Sequence, residues 1–160
     1  GLADTAPILH AVLYHPYLSM RFAVQGLVTV VDAMAGAATL DAHEEAVRQA
    51  AMADRLVLSK TDIADSAAVA ALTARLRKLN PGAEIRDAGA ALDMAGLVTS
   101  GLFTTNGKIG DVAGWLSAEA IAEAEIARQR AGTDQAAWFK AEGDVKRLQA
   151  QLEALQEAHH

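Results

Sequence analysis

The stretch "ADRLVLSKTDIAD", residues 53–65, decides how this chain is read. Arg55 to Leu58 have the composition of a buried strand, and Ser59-Lys60-Thr61-Asp62 stops that strand with four polar side chains. An alanine-rich helical pattern follows, with Asp65 or Ser66 placed to accept from its first free N–H groups. A plain turn has no need of a lysine and an aspartate two residues apart. A strand that stops on such a pair and runs into a helix is half of a strand–helix–strand unit. In open α/β sheets, ligands bind beyond the carboxyl ends of such strands.

The neighbouring segments extend the same alternation. "GLVTVVD", residues 26–32, is a continuous β-branched run that predicts a strand covered on both faces, as in a parallel sheet. "DAHEEAVRQAAMA", residues 41–53, predicts one helix with acidic residues in its first turn, where they favour the helix dipole. The helix after Asp65 runs to about Leu79 and closes at Asn80-Pro81-Gly82. "AEIRDA", residues 83–88, is a weak third strand. Upstream, Asp4 as N-cap and Pro7 in the first turn predict a helix over residues 5–14, ended by Pro16. Downstream, residues 87–109 read as loop and short helix, with a turn signal at Thr105-Asn106-Gly107. Residues 111–157 read as helix, interrupted near Gly132 and at Gly143. There Val145, Leu148, Leu152 and Leu155 form an apolar stripe that packs on the sheet or on another chain. The fold class expected is α/β, a parallel sheet with right-handed helical crossovers. Three strands are legible, few for a doubly wound sheet.

Composition narrows the function classes. Of the 160 residues, 52% are hydrophobic and 21% charged, which is a globular balance. A net charge of −6 argues against a nucleic-acid partner, because phosphate neutralisation needs a basic face. The chain has no cysteine, which excludes disulfides and thiolate metal sites within it and is compatible with the cytoplasm. No apolar run approaches the roughly 20 residues that span a bilayer, so no membrane role is expected. The first residues lack a basic, signal-like region and do not include methionine, and the sequence is expected to begin inside a longer protein.

The polar loop at 59–62 has a specific chemistry. A carboxylate at Asp62 can accept two hydrogen bonds from the ring N–H and exocyclic amine of guanine, and its charge strengthens both. Adenine offers no such donor pair. The Lys60 stem can lie along a base face while its ammonium stays in water. Ser59 can brace neighbouring loops, with less reach than an asparagine. The other reading is that Asp62 only caps the next helix and Lys60 is solvated. The buried strand before the motif and the helix after it favour base recognition.

Five segments in collinear order then carry a family resemblance: "GLADTAPIL" (1–9), "VTVVDAMAG" (28–36), "QAAMADRLVLSKTD" (49–62), "LRKLNPGAEI" (76–85) and "GLFTTNGKIGDVAGWLSAEA" (101–120). Together they resemble the CobW-like GTPases, metallochaperone-type P-loop GTPases related to those of urease and hydrogenase maturation. The resemblance covers roughly residues 1–120. It implies that 1–120 is the C-terminal portion of a GTPase domain, P-loop NTPase-like but lacking its N-terminal strands. Residues 121–160 would be a helical extension leading to a histidine-rich linker. It also implies that Ser59, Lys60, Thr61 and Asp62 form the guanine-binding motif, with Ser59 standing where asparagine or threonine is usual. Thr5 departs from the family's common proline, and residues 86–88 fall where the family contacts the base through backbone.

What the resemblance implies for activity is GTP binding and hydrolysis, with Mg2+, coupled to delivery of a divalent metal to a metalloprotein client. Zn2+ and Co2+ are the expected cargoes, the latter related to cobalamin biosynthesis. These 160 residues contain no G-x-x-x-x-G-K-[ST] phosphate loop and no cysteine-rich metal motif. No catalytic residue is therefore assigned, and whether the chain itself is an enzyme is left open. Two rivals stand beside this reading. One is a non-catalytic interaction module with a vestigial guanine loop and a tendency to self-associate. The other is a nucleotide-independent α/β domain.

Smaller candidates have competing readings. His159 and His160 begin a metal-binding tract or belong to an inert tail or tag. His10 and His15 are five apart, the wrong spacing for one helix face, so packing is expected. His43 beside Glu44 and Glu45 reads as a solvated helix start in preference to a metal site. Asp32 either caps the turn after its strand or faces the nucleotide side, and the cap is favoured. Trp115 and Trp138 are expected in the core or at an interface.

Overall fold

The computed structural model describes residues 3–89, 108, 110–131 and 135–157. The chain divides into two compact units, residues 1–109 and 110–160. The first is built on three parallel strands, β1 (Val28–Asp32), β2 (Arg55–Ser59) and β3 (Glu84–Asp87), in the order β1-β2-β3. Helices α3 (Gly36–Ala42) and α4 (Glu44–Met52) join β1 to β2, and α5 (Ser66–Leu79) joins β2 to β3. Two short helices, α1 (Ala6–Tyr14) and α2 (Pro16–Arg21), precede β1.

β2 is the central strand, and its apolar run is buried as its composition predicts, with Leu56, Val57 and Leu58 all in the core. β1 differs from expectation. Val31 is buried, but Val30 is 65% exposed, so among the described residues β1 is covered on one face only. The covered face carries the main cluster, in which Val31, Leu56 and Leu58 pack with Leu40 of α3 and Leu72 and Leu76 of α5. Each fully buried leucine contributes roughly 1.5–3 kcal/mol. Gly36 lies at the tightest point: a Cβ there would sit 2.8 Å from Val31 Cγ1 and 3.1 Å from Leu72 Cδ2.

Local signals explain most boundaries. The Asp65 carboxylate accepts from the Ala67 and Ala68 N–H groups at 3.0 Å each and starts α5. The N-cap of α1 is Thr5, one residue after the expected Asp4, and its side chain makes no cap bond; Asp4 instead accepts from Ala6 N–H at 3.0 Å, and its other oxygen takes Arg48 of α4 at 2.7 Å, tying the start of α1 to α4. Pro16 ends α1 and also begins α2. His15 is pushed into the extended region, as a residue before proline is, and Pro16 occupies the first helical position. The single helix expected over 41–53 is broken at His43: residues 41–42 end α3, and α4 takes up 44–52, with His43 extended between them. Leu40 explains this: it is buried against the sheet, which a short alanine-rich run does not announce.

The second unit contains α6 (Gly110–Ala131) and α7 (Gln135–Glu157). The pair runs antiparallel. Arg128, in the last turn of α6, bonds Glu142 of α7 at 2.8 Å, and toward the other ends of the pair Leu152 Cδ1 lies 4.0 Å from where a Gly114 Cβ would be. The stripe on α7 therefore turns toward its hairpin partner: Val145 is buried, and Leu148, Leu152 and Leu155 are half-buried. The break expected at Gly143 is absent, since α7 runs through it. Gly132, Thr105–Gly107, His159 and His160, and the Trp138 side chain, lie outside the described residues; Trp115 is half-buried. No helix among the described residues is long and apolar enough to cross a membrane.

Candidate functional site

Strand register builds the site. Asp32 stands opposite Ser59, and Leu58 stands opposite Asp87. The ladders continue one step further, with Ala33 N–H donating to Ser59 O and Ala88 N–H to Leu58 O, both at 2.8 Å. The carboxyl ends of all three strands are thus level, and the loop 59–62 leaves the sheet between two aspartates that are 55 residues apart in sequence (87 − 32).

Both aspartates bond the loop. The Lys60 ammonium donates to Asp32 Oδ2 at 2.6 Å, while Asp32 Oδ1 accepts from the N–H groups of Met34 at 2.8 Å and Ala35 at 3.3 Å. Lys60 and the Met34 N–H together hold the Asp32 carboxyl below the usual carboxylate range. Thr61 Oγ1 donates to Asp87 Oδ1 at 2.7 Å, and the Gly89 N–H donates to the same oxygen at 2.7 Å. These two bonds lower the Asp87 carboxyl in the same way. Ser59 Oγ donates to Val31 O over a long 3.4 Å.

Lys60 has φ 61°, the left-handed region, where it is the one non-glycine residue described. A lysine there is held against its preference, and such strain collects at functional sites. Asp62, by contrast, is exposed, and among the described residues nothing bonds its carboxylate. A carboxylate with no described partner, at the carboxyl end of a central parallel strand, has both oxygens available to accept from a pair of N–H donors.

The loop thus brings together Ser59, Lys60, Thr61 and Asp62, with Asp62 the open member. Asp32 caps its own turn through one oxygen, the favoured reading, and its other oxygen bonds Lys60 of the loop. Asp87 was not singled out from sequence. Its signal was its place as the last residue of the third strand, which becomes informative only once register is known. Of the backbone at 86–88, the Ala88 N–H is already used by Leu58 O. His10 is buried, its ring centroid 4.9 Å from that of Tyr14, a packing role. His43 is exposed, and among the described residues no group of three or more His, Cys, Asp or Glu side chains is placed to hold a metal.

With this geometry in place, comparison with known proteins decides the family. The profile of the nucleotide-binding domain of CobW/HypB/UreG matches residues 1–87. This chain belongs to that family. The CobW/HypB/UreG chain is 33% identical over 85 residues to the zinc chaperone YjiA of Escherichia coli (strain K12), a match covering 53% of this chain and 26% of YjiA. It also resembles the crystal structure of Zn(II)-bound YjiA GTPase from E. coli, with a TM-score of 0.56 and 31% identity, over 63% of this chain and 32% of that one. It therefore spans about a third or less of the relatives it matches. The expected α/β class, with parallel strands, intervening helices and long C-terminal helices, is the observed one, and it is like the fold of that GTPase.

Proposed function

We propose that this CobW/HypB/UreG chain carries the guanine-reading part of a GTP-dependent metallochaperone. The observation that supports it is Asp62: an exposed carboxylate without a described partner, beside a strained lysine, beyond a central parallel strand in the family-matched region. Asp62 would accept from the ring N–H and exocyclic amine of guanine. Lys60 would lay its stem along the base, and Ser59 and Thr61 would brace the loop. Residues 1–120 would act as the C-terminal portion of the GTPase domain, with 121–160 as a helical extension. The residues of the loop fit the base, and none of the 160 matches the phosphate-loop pattern. When bound with GTP, Mg2+ neutralises phosphate charge, and hydrolysis belongs to the whole protein, acting in the cytoplasm. The cargo is a divalent metal for a metalloprotein client. The likeness to a zinc chaperone puts Zn2+ first, ahead of Co2+ for cobalamin chemistry.

Calorimetry with GDP and ADP, on the longest chain that the gene encodes, tests the reading. GDP binds more tightly, and Asp62→Ala removes the preference. Equal affinity for both nucleotides overturns the base site.

A second reading has one observation in its favour. Val30 is 65% exposed on β1, which pairs on one side only among the described residues. An open apolar edge recruits further strands, so self-association is proposed for the 160-residue chain by itself. Light scattering that reports a monomer at all concentrations removes this reading.

A further inference from the structure

We propose that Asp32 is a positioning residue for the base site: it holds the Lys60 ammonium and thereby sets the posture of the loop that carries Asp62. This rests on the guanine-reading assignment of Asp62. Three observations carry it. First, Lys60 adopts φ 61°, a conformation that a lysine enters only when its surroundings impose it. Second, Asp32 is itself immobilised. It ends β1 opposite Ser59, and its Oδ1 is fastened to the Met34 and Ala35 N–H groups, so Oδ2 is presented to Lys60 from a fixed point. Third, the next loop residue is fastened on the other side, where Thr61 Oγ1 bonds Asp87.

A lysine stem is flexible and has rotamer entropy to lose on binding. Pinned at its backbone and at its ammonium, it becomes a fixed apolar surface before any ligand arrives, which removes that ordering from the binding step. Lys60 remains 56% exposed, so the clamp leaves the stem open to a ligand. The three carboxylates around the loop then divide their work. Asp32 and Asp87 hold the protein's own groups, and Asp62 faces outward without a described partner.

The bland alternative is that Asp32 only caps its own turn. Asp32→Asn separates the two, because asparagine keeps an oxygen for the Met34 and Ala35 N–H groups but offers the ammonium an NH2 that cannot accept. A double-mutant cycle with Lys60→Met then reads the coupling by GDP calorimetry on the longest encoded chain. Asp32→Asn is expected to weaken GDP binding about tenfold, the range of coupling between contacting residues, and to have under about a twofold effect once Lys60→Met is present. It retains the preference for GDP over ADP, since Asp62 is untouched. Unchanged GDP affinity in Asp32→Asn, the same loss in the Lys60→Met background, or loss of the cooperative melt each overturns the proposal. If instead Asp62→Ala keeps the GDP preference, or the wild type binds no GDP, the guanine reading itself fails.

Discussion

The two ends of β2 are built to opposite purposes. At the amino end, polar groups are turned inward and used. Asp54 bonds the Leu27 N–H through Oδ2 at 2.7 Å, donates its own N–H to Leu27 O at 2.8 Å, and accepts from Glu84 N–H at 3.3 Å. Lys108, its side chain only 4% exposed, donates to Asp54 Oδ1 at 2.8 Å and Ala53 O at 2.9 Å. Asn80, 1% exposed, donates from one amide nitrogen to the carbonyls of Ala50, Ala51 and Ala53, satisfying the end of α4. At the carboxyl end Lys60 and Asp62 are exposed, Lys60 is strained, and the Asp62 carboxylate has no partner among the described residues. The closed end holds the three strands together, and the open end has groups to offer a ligand.

Breaking the closed end has the largest expected effect on stability. Lys108→Ala strips the Asp54 carboxylate and the Ala53 carbonyl of a buried partner and is expected to destabilise by about 3–5 kcal/mol in urea denaturation. Asp62→Ala at the open end changes stability by no more than about 0.5 kcal/mol. Equal losses would erase the contrast between the ends. In binding, Asp62→Ala is expected to weaken GDP roughly 10- to 100-fold, as loss of charge-assisted hydrogen bonds does.

Lys60→Gly sharpens the comparison from the other side. It relieves a left-handed backbone strain of about 1 kcal/mol but also removes the exposed Lys60–Asp32 ion pair, a weak contribution at the surface, so the melting temperature stays about level while GDP affinity falls. A smaller effect is expected in the second unit. Gly143 is mid-helix, with nothing within 4 Å of an added Cβ, and Gly143→Ala stabilises by about 0.5–1 kcal/mol, read as a higher melting temperature. The open end is also sensitive to acid. The Asp32 and Asp87 carboxyls are lowered in the folded state, by Lys60 and by Thr61 respectively. Their contribution is therefore complete above the unfolded-state value, about 3.9, and lost as pH falls through the lower folded-state values. Asp32→Asn and Asp87→Asn flatten the acid side of a stability–pH curve, and an unchanged curve would separate these bonds from stability.

Legibility in the sequence followed the range of each interaction. β2, the polar stop after it and the Asp65 cap of α5 all depend on neighbours within a few residues, and all were readable. Asn80 looked like a helix terminator, and its larger task appears only when the end of α4 folds against it, 27 to 30 residues away. Lys108 gave no signal, because a lysine is read as a surface residue until a buried carboxylate is placed beside it. The break between α3 and α4 was missed for a related reason: burial of Leu40, not local propensity, defines α3.

The strand–helix alternation and the parallel α/β class follow from the sequence without further information, and so does the polar stop at 59–62 that makes this loop the candidate for recognition. Apolar periodicity, polar stops and capping groups act over a few residues, so composition alone reveals them. What surrounds that loop depends on how the strands pack. Parallel pairing put Asp32 and Asp87 on either side of it, where Lys60 has φ 61° and Asp62 is exposed. Register is a long-range property, set by the burial of β2 between its neighbours, and no local pattern encodes which strand ends will meet.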